Sequence, residues 1–301
     1  MQKVISRLTF LRSIVLTMIS LSIFIFLFKA YSIQWSQIVP ASYSYLGLSV
    51  LVTATFPLLS SLRWKWVLEA MSVDLKFKHA LRITMATWIF SIIPGRVGDF
   101  MKGVAIPQAK KEFAFGSVAF EKIVDVFSLL FISTAGLFMV GRNVPATILI
   151  IMCVCILTCL IYVRRLLFLL PLRMRDRLSS LHQAMLQIFK TPAHIIKIFC
   201  ASLANWLFSV VQVCLLFRAF DGTVSIVYVL AFLPISIFIG LIPISLAGMG
   251  TRDSAIVVLF MGLATASQSV AVGIWYSLLG YWAPAIIGLF FTPSLMSAKR
   301  E

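Results

Sequence analysis

Runs of about 20 apolar residues recur along the whole chain, and each is long enough to cross a bilayer as a helix. Hydrophobic residues make up 61% of the 301 residues and charged residues only 12%. No soluble domain has that balance, so the chain is expected to be all-α, a polytopic helical membrane protein. A single transmembrane domain over 1–301 leaves no room for a separate soluble catalytic domain. The net charge of +16 does not point to nucleic acid. The basic residues fall in short segments between apolar runs, as cytoplasmic loops facing anionic lipid do. Cys153, Cys155, Cys159, Cys200 and Cys214 lie in apolar runs without metal-type pairing. His79, His182 and His194 are scattered near span ends. No metal and no cofactor are expected.

Six full spans are predicted: Ser13–Phe28, Tyr43–Leu62 with Pro57 as a kink, Ser117–Val140, Val144–Val163, Ile195–Phe217 and Ser269–Phe291. Basic residues precede Ser13–Phe28 and no small-x-small cleavage site follows it, so it is expected to remain an uncleaved first span. Arg142 and Asn143 are expected to make a tight turn. The stretch L-L-F-L-L-P-L-R-M-R, within the basic segment 164–197, suits the membrane surface.

Two apolar segments are broken: Ala80–Ile93 is too short to cross comfortably, and Ser225–Ile242 is interrupted by Pro234 and closed by Pro243. Ala80–Ile93 is followed by P-G-R-V-G-D, and Ser225–Ile242 by P-I-S-L-A-G-M-G-T-R-D. The positive-inside rule puts the N-terminus, 63–82, 102–116, 164–197 and the C-terminus on the cytoplasmic side. Both flanks of each short segment then share a side. Each is therefore expected to be a broken re-entrant hairpin; an alternative of eight spans keeps the same end sides. On the hairpin reading, halves 1–142 and 143–301 repeat with inverted topology, and substrate binds where the broken helices meet. The echoes are Ile93-Pro94 with Gly98-Asp99 against Ile242-Pro243 with Gly250 and Arg252-Asp253, and Arg63 against Arg218.

The first break carries the chemistry. Arg96, Asp99 and Lys102 follow it directly, and Glu121, Lys122 and Asp125 lie in the next apolar run. Asp99, Glu121 and Asp125 are three of only ten acidic residues in the chain. Ionisable groups at membrane depth are read as functional by default, and broken backbone there must be buried or line a wet cavity. Arg96 beside a half-helix N-terminus makes an anion site; the competing reading is a pair with Asp99. Asp99 and Asp253 equally suit helix capping. Arg252 mirrors Arg96. Glu121 and Asp125 share one helix face. They either line a head-group site or belong to an internal ion-pair network with Arg96, Lys102 or Arg252. Lys122 is expected to point away from them. Trp64, Trp66, Trp88, Trp206, Trp275, Tyr276, Tyr281 and Trp282 are expected to anchor interfaces and fill packing.

At these residues the chain resembles the flippase-type transmembrane domain of lysylphosphatidylglycerol synthases and its stand-alone relatives. The markers are Arg63-Trp64, P-G-R-V-G-D-F-M-K (94–102), E-K-I-V-D (121–125) and P-I-S-L-A-G-M-G-T-R-D (243–253). The resemblance covers nearly the whole chain. The family more often has Glu at positions 99 and 253 and Arg at 102 and 122, which keeps charge but changes reach. The resemblance implies a multi-pass protein of the plasma or inner membrane that moves a lipid between leaflets. The lipid would be an anionic or modified phospholipid, or a polyprenyl-phosphate glycolipid. The implied substrate-binding set is Arg63, Arg96, Asp99, Lys102, Glu121, Asp125, Arg252 and Asp253. The aminoacyl-transferase domain of full-length synthases is absent, so the chain is expected not to be an enzyme. The alternative is a membrane enzyme, or an accessory subunit for a partner glycosyltransferase, acting on a lipid-linked glycan. The oligomeric state is left open.

Overall fold

The computed structural model describes residues 2–92, 97–106, 111–166, 185–242, 245 and 248–292. Among them there is no strand. The helices are α1 (Gln2–Ala30), α2 (Tyr43–Thr53), α3 (Thr55–Ala70), α4 (Phe77–Thr87), α5 (Val97–Val104) and α6 (Lys111–Met139). They continue with α7 (Asn143–Leu166), α8 (Pro192–Ala219), α9 (Ile226–Gly240), α10 (Thr251–Leu259), α11 (Ala266–Ser277) and α12 (Ala283–Phe291). A 3₁₀ segment, Trp88–Ile92, extends α4, and a π-helical turn, Leu278–Trp282, joins α11 to α12.

Five stretches are long and apolar enough to cross a membrane: Tyr43–Ala70, Phe115–Met139, Asn143–Tyr162, Pro192–Ala219 and Ala266–Phe291. They coincide with five of the six expected spans, and the sixth falls within α1. The protein is an all-α, multi-pass membrane protein.

The second span differs from expectation. It runs to Ala70, not Leu62, and therefore takes Arg63 into the helix. Its break lies at Ala54, between α2 and α3. Pro57 lacks the N–H that would bond the Thr53 carbonyl, and its ring crowds that carbonyl. At the break the Ala54 N–H is shared between the Val50 and Leu51 carbonyls, at 3.3 and 3.2 Å.

The turn expected at Arg142-Asn143 begins one residue earlier. Gly141 takes φ +74° and closes α6: its N–H donates to the Phe138 carbonyl at 3.0 Å and that of Arg142 to Leu137 at 2.8 Å. This pair of bonds is the Schellman motif, which favours glycine at the left-handed position.

The short segments form two broken units. The 3₁₀ extension of α4 packs on α5, and α9 packs on α10. At eight and nine residues, α5 and α10 rise only about 12–14 Å, far short of a bilayer. The packing is reciprocal. The first unit lies against α6 through α5 and against α12 through α4; the second lies against α11 through α10 and against α6 through α9. The echo of Arg63 by Arg218 does not hold: Arg63 is buried, whereas Arg218 is exposed at the end of α8. The Pro94 break and the L-L-F-L-L-P-L-R-M-R stretch beyond Leu166 lie outside the described residues.

The main core lies where α6, α8, α9, α10 and α11 converge, around Phe217, Leu233, Ile256 and Phe260. The start of α11 is fixed by a reciprocal cap. Thr265 Oγ1 accepts from the Gln268 N–H at 3.2 Å, and Gln268 Oε1 from the Thr265 N–H at 3.0 Å. Thr265→Ala is expected to lower stability by about 1 kcal/mol, read as a reduced melting temperature in detergent.

Candidate functional site

One buried charge cluster ties four helices together. Arg63 on α3 is 4% exposed. Its Nε donates to Glu121 Oε1 at 3.1 Å, its Nη1 to Asp125 Oδ1 and its Nη2 to Asp125 Oδ2 at 3.3 Å. Glu121 and Asp125, four residues apart on α6, present both carboxylates to one planar fork. Asp125 Oδ1 also accepts from Ser202 Oγ and Trp206 Nε1 on α8, each at 2.9 Å. Lys102 on α5 is buried and lies 3.5 Å from Glu121 Oε2. It also donates to Ser60 Oγ at 3.4 Å. Lys122 bridges Asp99 Oδ2 at 2.8 Å and Asp125 Oδ2 at 3.5 Å. Three cations thus meet three carboxylates.

Two expectations are corrected here. Lys122 does not turn away from the acidic pair, because residues three apart on a helix are neighbours, and its long side chain covers the rest. Of the cations expected in the network, Lys102 joins it and Arg252 does not, and its central cation is Arg63. Arg63 reads in sequence as the first residue of a basic loop because Lys65 follows two residues later. Yet Lys65 is satisfied within its own helix by Glu69, and Arg63 points into the bundle.

Arg252 and Asp253 form a second, separate cluster. Arg252 is 1% exposed and donates from Nε and Nη2 to Asp253 Oδ1, at 3.3 and 3.2 Å, and from Nη2 to Ser277 Oγ. Its guanidinium lies 4.8 Å from the ring centres of both Tyr276 and Tyr281, a cation held between two aromatic faces. Asp253 caps α10, from the third helical position and not from the N-cap: Oδ2 accepts the Gly250 N–H at 3.1 Å. Arg96 lies outside the described residues.

A cavity of about 160 Å³ opens beside the first cluster. Arg63, Asp99, Lys122 and Asp125 supply its charges, and Ser60, Asn205, Ser209, Tyr276 and Tyr281 bring neutral polar groups. Phe56, Ser60 and Arg63 reach it from one face of α3; Asn205, Trp206 and Ser209 from one face of α8. The π-helical turn supplies Gly280 and Tyr281. Pro284 enforces that turn, since it cannot bond the Gly280 carbonyl. Arg252 is not part of this lining; it stands behind Tyr276 and Tyr281. Glu121 and Lys102 also lie behind the wall, Glu121 in contact with it through Arg63 and Lys102 through Ser60. A second void of about 890 Å³ lies between α6, α7, α8 and the helical turn at 185–188. Among the described residues its lining has no ionisable group except Cys153; Phe120, Ile123, Phe127, Leu157 and Phe199 are typical of its walls.

Several residues of the site are not distinguished by sequence. Trp206 and Tyr276 read there as anchors, but the Trp206 indole holds Asp125 and the Tyr276 hydroxyl meets Ser209 Oγ at 2.7 Å. Trp64 is fully buried, with Nε1 3.4 Å from Ser117 Oγ. Asn205, Ser202 and Ser209 are single polar residues in an apolar span. Their signal is only the spacing that stacks them on one helix face.

Comparison with functionally curated proteins finds no match. Residues 7–288 match the family described as the lysylphosphatidylglycerol synthase TM region. That match takes in all but the ends of the chain and every residue of both charge clusters, so the chain belongs to the family of the lysylphosphatidylglycerol synthase transmembrane region.

Proposed function

We propose that the protein is a lipid translocator, carrying the head group of a phospholipid or lipid-linked anion between leaflets without chemical change. The observation that carries this reading is the charged cavity of about 160 Å³ walled by membrane-spanning helices and the first broken unit. Water-accessible polar surface at this depth otherwise destabilises the protein. The apolar void on the other side of α6 suits hydrocarbon chains, which are what surrounds such walls in a bilayer. The reciprocal packing of the two broken units supports an inverted repeat of 1–142 and 143–301, rocking about the site. Glu121 and Asp125, each held by cations, act here as scaffold, which argues against an acid–base role. The protein then sits in the plasma or inner membrane with both termini cytoplasmic. A partner glycosyltransferase enters only if the carried lipid is a polyprenyl-phosphate glycan.

The test is leaflet exchange in proteoliposomes, using labelled anionic and aminoacylated phospholipids and a labelled polyprenyl-phosphate glycolipid. The decisive variant is Gly280→Phe. Gly280 lines the cavity, and a Cβ there meets nothing within 4 Å, so the ring can fill the cavity without unfolding the helix. Wild type is expected to exchange at least one lipid, and Gly280→Phe to fall to the rate of protein-free vesicles. Equal exchange by a folded Gly280→Phe overturns the cavity as the route. No exchange of any of these lipids by wild type overturns translocation.

A further inference from the structure

The charges around the cavity are already matched. Lys122 and Arg63 are held by Asp99, Asp125 and Glu121 at 2.8–3.5 Å, so a bare phosphate must compete with carboxylates for them. A neutral group meets no such competitor. Asn205 lines the cavity, and its Oδ1 is turned out of reach of solvent, with no hydrogen-bond partner among the described residues. An unmet buried amide oxygen costs about 1–3 kcal/mol, and turning it toward the cavity lets a ligand donor meet it. A half-turn of the carboxamide exchanges its oxygen and nitrogen. A hydroxyl is both donor and acceptor and satisfies either orientation; an ammonium or a phosphate satisfies only one. One helical turn along α8 lies the Ser209–Tyr276 hydroxyl pair, and the rings of Trp88, Trp206 and Tyr281 are among its other walls. The volume, about 160 Å³, equals that of roughly five water molecules, enough for a small polyol.

We infer that the cavity selects head groups by their uncharged hydroxyls, with Asn205 as the specificity-determining residue. The ligand chemistry is a polyol, either the glycerol of a phosphoglycerolipid or the sugar of a glycolipid. This rests on the translocator reading above.

The experiment compares three labelled lipids in proteoliposomes: phosphatidylglycerol, a polyprenyl-phosphate hexoside and phosphatidylmethanol. Phosphatidylmethanol carries the same single negative charge as phosphatidylglycerol but no hydroxyl. Wild type is expected to exchange at least one hydroxylated lipid about tenfold faster than phosphatidylmethanol, the loss typical of one buried hydrogen bond left unmade. The faster of the two identifies the source as glycerol or sugar. In Asn205→Leu that preference is expected to collapse toward one. Ser209→Ala, which removes only a hydroxyl, is expected to reduce it in the same direction and serves if Asn205→Leu does not fold. Phosphatidylmethanol exchanged as fast as both polyol lipids overturns the inference and leaves translocation standing. A folded Asn205→Leu, or Ser209→Ala in its place, that slows all three lipids alike also overturns it. No exchange of any lipid overturns the translocator reading itself.

Discussion

Arg63→Met is expected to lower stability by about 3–5 kcal/mol, the usual loss when one partner of a buried ion pair is removed. The guanidinium is the only group that reaches both Glu121 and Asp125 in the described structure, and both carboxylates are buried. Without it, Glu121 keeps only Lys102, at 3.5 Å. Asp125 keeps Lys122 and the donors from α8. The two carboxylates would then repel across one helical turn. Arg63→Lys is expected to recover less than half of the loss, because a single ammonium cannot form the paired contacts of the fork. Denaturant titration in detergent micelles checks both. A loss below about 1 kcal/mol for Arg63→Met would show that the cluster behaves as a solvated surface pair.

Gly136→Ala is expected to cost about 1–3 kcal/mol, the range for overpacking a close contact, although it adds one methyl group. A Cβ at Gly136 would overlap the Ala231 backbone nitrogen and stand 2.7 Å from the Leu230 carbonyl carbon. The obstacle is backbone, so no side-chain rotation relieves it, and α6 and α9 must separate. Their approach is also fixed by Ser133 Oγ, which donates to the Ala231 carbonyl at 2.7 Å. Small residues at such crossings are what allow helices to pack tightly in lipid. Gly47→Ala is the control. A Cβ at Gly47 in α2 meets nothing within 4 Å, and helix propensity favours alanine by up to about 1 kcal/mol. Melting temperatures are therefore expected to shift in opposite directions for the two substitutions.

The spans were legible because bilayer thickness imposes a length on apolar runs, and the broken units because prolines and glycines interrupt two of those runs. The placement of Arg63 was not. Its partners lie 58 and 62 residues away on α6 and 139 residues away on α8, and no local pattern encodes such contacts. Residues 63–65 contain two cations separated by a tryptophan, a pattern shared by many cytoplasmic loop ends. Only the family resemblance marked Arg63 as part of the site. Asp99, Lys102, Glu121 and Asp125 were found because charge inside an apolar run is conspicuous. Asn205 carries no charge and was not.

The extra residue in the π-helical turn at Leu278–Trp282 acts as a phase shift in the last span. A straight α-helix advances 100° per residue and keeps one stripe toward its neighbours throughout. Here α11 turns Val272 and Tyr276 to the core shared with α10, while beyond the turn Pro284, Ala285 and Gly288 are the buried positions of α12, which packs on α4. One helix thus presents differently aimed faces to the two broken units. The turn between those faces is also where Gly280 and Tyr281 meet the cavity. Unwinding or tightening it by one residue would re-aim one face relative to the other.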